Sequence, residues 1–146
     1  MRRYRDLTEL EKAGQRGLPG LIGMTVTRAD DDEVEALLPT RPELIAPNGF
    51  LHAGALLTLA DTAAGYGCLL SLPDGATGFA TIELKANFVR PALGPWLKCR
   101  ARRMHGGRST QVWDATISDS QGRDVALFRC TQLVLRGSGL TKEAVK

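Results

Sequence analysis

Asp61 is the only formal charge between Glu43 and Asp74, and it interrupts the longest apolar run of the chain, Asn48 to Leu70 (NGFLHAGALLTLADTAAGYGCLL). A carboxylate inside an apolar element is costly unless it is paired or used. Used, it can serve as a base for water or as a nucleophile. The same run offers a second chemical feature. A helix beginning near His52 or Ala53 exposes unpaired N–H groups and a positive dipole end, which can hold an anion or polarise a carbonyl. Asp61 follows His52 by nine positions, which places it roughly 13 Å along the axis and on nearly the opposite face. One reacting carbonyl cannot meet both features of one copy. If both act, a second copy must supply the carboxylate, and a two-fold dimer would then hold two shared sites.

Two neighbours of the helix start admit more than one reading. His52 has the chemistry of a metal ligand or a base, but no partner ligand stands at a useful spacing, so capping or anchoring the loop fits better. Asn48 is followed by Gly49, a pair that favours turns, and it is equally placed to contact a ligand.

The remaining elements must hold this run in position. Residues 4–15 mix charges with Leu7 and Leu10 and are expected to form a short amphipathic helix, broken by Gly17, Pro19 and Gly20. Residues 21–27 and 33–38 alternate as strands around Asp30-Asp31-Asp32, a hairpin pattern. After the Leu72-Pro73-Asp74-Gly75 turn, four more strands are expected at 80–89, 96–101, 111–118 and 125–135. In the first of these, Ala80, Ile82, Leu84, Ala86 and Phe88 are expected on one face and Thr81, Glu83, Lys85, Asn87 and Val89 on the other. Strand, strand, helix, then four strands indicates an α+β fold, an antiparallel sheet wrapped around one central helix. Residues 1–20 read as an N-terminal extension, 21–136 as the single domain, and 137–146 as a flexible tail.

Composition bounds the function further. With 146 residues, ordinary charged and apolar fractions and a net charge of +3, the chain has room for one core. Its basic residues are scattered apart from Arg100, Arg102, Arg103 and Arg108. Only four Phe, two Tyr and two Trp are available for base stacking, so nucleic acid is weakly indicated. Cys68, Cys99 and Cys130 lie far apart in apolar settings, as reduced buried thiols do. The N-terminus MRRYRDLTELEK lacks a signal-peptide core, and no apolar run reaches about 20 residues, so a cytoplasmic protein without a membrane span is expected.

Three blocks together resemble the hotdog-fold acyl-CoA thioesterases, most closely the phenylacetate-degradation-type branch. They are Gly49-Phe50-Leu51-His52-Ala53-Gly54 with Leu59-Ala60-Asp61-Thr62-Ala63; Thr81-Ile82-Glu83-Leu84-Lys85 with Asn87-Phe88-Val89-Arg90-Pro91-Ala92; and Gly107-Arg108-Ser109. The resemblance spans residues 20–136. It implies a six-stranded antiparallel sheet around the helix, and hydrolysis of an acyl-CoA thioester to a free acid and coenzyme A. Asp61 would be the catalytic carboxylate and the Ala53 N–H the carbonyl-polarising donor. Asn48, His52 and Thr81 would complete the catalytic group, with Thr81 helping to place water. Gly54, Arg90, Arg108 and Ser109 would bind substrate, the arginines by forking onto phosphate. It implies no metal or redox cofactor, coenzyme A being part of the substrate. It also implies homodimers that pair further into dimers of dimers, with active sites between subunits.

The chain departs from the family pattern at Ala53, usually Gly, and at Ala46, where many members carry Asn or Gln. Two other readings stand beside hydrolysis. A non-catalytic acyl-CoA-binding hotdog domain is disfavoured by Asp61. A dehydratase would pair a His with a carboxylate in a motif this chain lacks.

Overall fold

The computed structural model describes residues 6–137. Three helices, α1 (Leu7–Gly14), α2 (Leu18–Ile22) and α3 (Ala53–Leu70), accompany six strands: β1 (Thr25–Ala29), β2 (Glu33–Pro39), β3 (Ala76–Phe88), β4 (Trp96–Gly106), β5 (Thr110–Asp119) and β6 (Asp124–Arg136). The strands form one antiparallel sheet in the order β1-β2-β4-β5-β6-β3, so β3 is an edge strand.

The sheet wraps α3 because both present apolar faces. Val34, Ala36, Leu38, Leu97, Cys99, Ala101, Trp113, Ala115 and Ile117 line the inner face and pack with Leu59, Ala60, Ala63, Ala64 and Cys68. All three cysteines are buried free thiols. Glycines let the helix approach the sheet closely. A Cβ on Gly67 would stand 2.3 Å from the Trp113 ring, and one on Gly65 would stand 2.8 Å from the Phe79 ring. At 18 residues α3 falls short of the roughly 20 named above, yet by length and composition it could cross a membrane. Its burial inside the sheet accounts for the apolar character instead.

Several local expectations are revised. Of the helix expected at 4–15, residues 4 and 5 lie outside the described residues, and the helix described runs from Leu7 to Gly14, with the Asp6 carboxylate accepting the Glu9 N–H. The strand expected from Leu21 begins only at Thr25. Gly17 and Pro19, read as breakers, instead start α2, because Pro suits the first helical turn, and left-handed Gly23 ends it. β4 runs on through His105 and Gly106, past the end expected at Ala101. The strand expected at Ala80 starts at Ala76, and its simple alternation fails. A bulge falls between the Thr81–Gln132 and Glu83–Thr131 pairs. An extra residue reverses which side chains share a face. Thr81 therefore joins Leu84, Ala86 and Phe88 on the helix side, while Ile82 is exposed. Much of β3 is uncovered: Ile82, Leu84 and Phe88 are exposed, as is Val89 just beyond it. The expected tail, 137–146, lies outside the described residues beyond Gly137.

Three of the four clustered arginines already have carboxylate partners. Arg100 and Arg102 reach Glu33, and Arg103 reaches Asp32. The β5–β6 turn is closed by Asp119. Its Oδ1 accepts the N–H groups of Gln121 and Arg123, and its Oδ2 accepts Nε and Nη2 of Arg123 at 3.0 and 2.6 Å. The Arg123 side chain, then these backbone donors, hold the Asp119 carboxyl down at about 2.

Candidate active site

The start of α3 is built to leave one donor unused. His52 is the N-cap, and its Nδ1 accepts the Gly54 N–H at 2.8 Å. The His52 carbonyl accepts the N–H of Ala55 at 3.0 Å and that of Leu56 at 3.4 Å. Of the first four helical N–H groups, only that of Ala53 lacks a hydrogen-bond partner among the described residues. The Gly54 N–H is spent on the cap, so it is not a free donor. The imidazole works as a cap through Nδ1.

A cleft of about 600 Å³ opens over this end of the helix. Asn48, His52, Ala53 and Arg90 border it with the apolar Phe50, Leu51, Leu56, Phe88, Val89, Pro91 and Ala92. Asn48 also closes its own turn, its Oδ1 accepting the Phe50 N–H at 3.2 Å. Phe50, Phe88 and Val89 were not singled out in the sequence as lining residues. Their signal is that large apolar side chains flank both motif blocks.

Asp61 and Thr81 do not border this cleft. Eight residues separate Asp61 from Ala53 along α3, which is about 12 Å of rise. Asp61 is instead half-buried against β3, with the Thr81 Oγ1 3.4 Å from its Oδ1. Burial raises the Asp61 carboxyl above its ordinary value; a Thr81 proton placed on its Oδ1 would oppose that rise. The same hydroxyl lies 2.9 Å from Oε1 of Gln132, a fully buried side chain that was not singled out in the sequence. A polar residue on the inner face of β6, among Phe128, Cys130 and Val134, was the available signal.

Arg108 and Ser109 lie in the β4–β5 turn. Strand register puts that turn beside the β6 residues Leu133 and Val134, at the end of the sheet near the C-terminus of α3. Arg90 borders the cleft at the opposite end. One protomer thus brings Asn48, His52, Ala53 and Arg90 together and pairs Asp61 with Thr81. It separates these groups from each other and from Arg108 and Ser109.

A profile of the Thioesterase superfamily matches residues 48–126, which span the helix start, Asp61 and β3 to β5. The chain belongs to the thioesterase superfamily. Thioesterase PA1618 of Pseudomonas aeruginosa, seen in a mutant crystal structure, is 28% identical. That match covers 92% of this chain and 96% of the other, with a TM-score of 0.83. A thioesterase family protein of Silicibacter pomeroyi is 30% identical, covering 88% of this chain and 96% of the other at a TM-score of 0.79. A Bacillus subtilis protein named as an esterase, ComA2, is 29% identical over 79% of this chain and 91% of its own length. The hotdog fold of these thioesterases is the fold described above, and the protein is a thioester hydrolase.

Proposed function

We propose that the protein hydrolyses acyl-CoA thioesters at sites shared by two copies of the chain. The carrying observation is the division of labour along α3: a free donor in a cleft at Ala53, and a half-buried carboxylate about 12 Å away at Asp61. In this reading the thioester carbonyl accepts the Ala53 N–H. The partner subunit's Asp61 faces the carbonyl carbon. As a base, it takes a proton from water while the oxygen bonds to carbon. The C–S bond of the resulting tetrahedral adduct then breaks, and the departing sulfur takes up the proton. As a nucleophile, it expels the thiolate and forms an anhydride that water opens. Both routes need the ionised carboxylate.

The edge strand supplies a route to such a dimer. β3 has an unpaired edge and exposes Ile82, Leu84 and Phe88, with the exposed Val89 just beyond it. Long apolar edges invite pairing with another copy. Antiparallel pairing of two β3 strands about a two-fold would extend the sheet and run the two α3 helices in opposite directions. The apolar cleft wall with its two phenylalanines supports an aryl or arylacetyl group as the acyl part, in line with the phenylacetate-type resemblance. Arg90 at the rim would meet phosphate, and Arg108 and Ser109 would do so from the partner. No resident cofactor enters this scheme.

The test is thiol release from a panel of aromatic, short-chain and long-chain acyl-CoAs, with Asp61→Asn as the control. Turnover that disappears in the variant supports the reading. Steady ligand binding without thiol release would instead favour an acyl-CoA-binding protein, and full activity in Asp61→Asn would exclude the carboxylate.

A further inference from the structure

Two buried glutamines sit side by side on the inner face, at the paired positions Gln111 of β5 and Gln132 of β6. Their partners differ. The Gln111 amide is absorbed by the end of α3, donating to the Ser71 carbonyl at 3.1 Å and accepting the Trp113 indole N–H at 2.8 Å. Gln132 faces Thr81, its cross-strand partner immediately before the β3 bulge. Its Nε2 lies 3.2 Å from the Cys130 Sγ, and its Oε1 lies 2.9 Å from the Thr81 hydroxyl. That hydroxyl has one proton and two acceptors, Gln132 at 2.9 Å and Asp61 at 3.4 Å. The shorter contact takes the proton.

We propose that Gln132 is a positioning residue for Asp61: its buried carboxamide oxygen captures the Thr81 proton and keeps it off the carboxylate. Asp61 then retains its lone pairs for the reacting atoms and stays a stronger base. The consequence for catalysis rests on the reading of Asp61 given above; the titration of Asp61 itself does not. The bulge serves this arrangement, because without it Thr81 would not share a face with Leu84 and Phe88.

The other titratable groups near Asp61 do not reproduce the effect. The Cys130 thiol of β6 is pushed up to about 12, chiefly by burial, and is neutral. Cys68, further along α3, and Cys99 of β4 are likewise held up near 12 by burial. Glu83 of β3 acts on Cys130. The inward Arg103 of β4 pairs with Asp32, while Lys98, Arg100 and Arg102 of β4 pair with Glu35 and Glu33 of β2. Asp114 of β5 pairs with Arg129 of β6.

The experiment is a carboxyl carbon NMR titration of Asp61 in the full chain, with its signal assigned by loss in Asp61→Asn. Gln132→Met removes the acceptor at similar volume and frees the Thr81 proton for Asp61. The midpoint should fall by about one pH unit, the size expected of one hydrogen bond gained by the charged form. Adding Thr81→Val to Gln132→Met should return the midpoint to the wild-type value or above, a reversal that a merely structural role would not produce. Gln132→Asn, which withdraws the oxygen by one methylene, serves if Gln132→Met fails to fold, and its shift has the same sign. An unchanged or raised midpoint in the glutamine variants overturns the proposal, a rise meaning that Gln132 donates to Thr81. The acid limb of thiol release should move with the titration. If Asp61→Asn remains active while the midpoint shifts as stated, the catalytic reading fails and the positioning role stands.

Discussion

The two ends of α3 obey opposite rules. At the C-terminal end the helix is closely packed and its cap is hydrogen-bonded. Gly67 lies against Trp113, the Ser71 hydroxyl donates to the Gly67 carbonyl at 2.7 Å, and Gln111 takes the Ser71 carbonyl. At the N-terminal end a donor is left without a partner among the described residues, a cleft stays open and large apolar side chains remain exposed. A helix end left unsatisfied is a cost that packing elsewhere must offset. One end therefore contributes stability, and the other is, in the proposed reading, kept available for a ligand and for a second copy.

That contrast can be broken from either side. The largest effect is expected at the carboxylate: Asp61→Asn should lower kcat by about 10² to 10⁴-fold with an unchanged melting temperature. Steady-state kinetics beside calorimetry checks this. Next is Ala53→Pro. Proline is welcome at the first helical position, and His52 already has the extended backbone (φ −63°, ψ 131°) that a following proline requires. The substitution removes the unpartnered N–H and almost nothing else. Turnover should fall by about 10² to 10³-fold while stability is retained. A variant with full activity would remove the donor from the mechanism.

Gly67→Ala addresses the other end. Its methyl meets the Trp113 ring, and the expected cost is about 1–3 kcal/mol of stability by urea unfolding, with folded protein still turning over. The smallest effect concerns the sheet. The folded-state value of Asp119, about 2, lies below its ordinary 3.8, so its contribution is complete above that ordinary value and fades as pH falls towards 2. Acid unfolding should be followed by circular dichroism. Asp119→Asn should flatten that part of the stability curve without changing the pH dependence of activity near neutrality.

The sequence made the central helix legible because one run carries both its apolar burial and its single carboxylate. The antiparallel order was legible because alternation and turn residues recur along the chain. The bulge in β3 was not. It changes no residue type and only shifts which side chains share a face, so Thr81 read as lying on the face opposite Leu84. The α2 helix was hidden because Gly17 and Pro19 both break and begin helices. Asp61 was legible as a lone charge in an apolar run, whereas Gln132 carries no charge and its use depends on cross-strand register. Arg108 and Arg90 looked alike in sequence, and only the topology places them at opposite ends of the sheet.

The shared site is tested most directly by mixing two inactive proteins. The Ala53→Pro and Asp61→Asn proteins are unfolded together, refolded and checked by native mass spectrometry for hybrid dimers. Each hybrid of a two-fold dimer would hold one site made of an intact helix start and an intact carboxylate. An equal mixture should therefore regain about a quarter of wild-type turnover. Hybrids that form and remain inactive would contradict a site built from two copies.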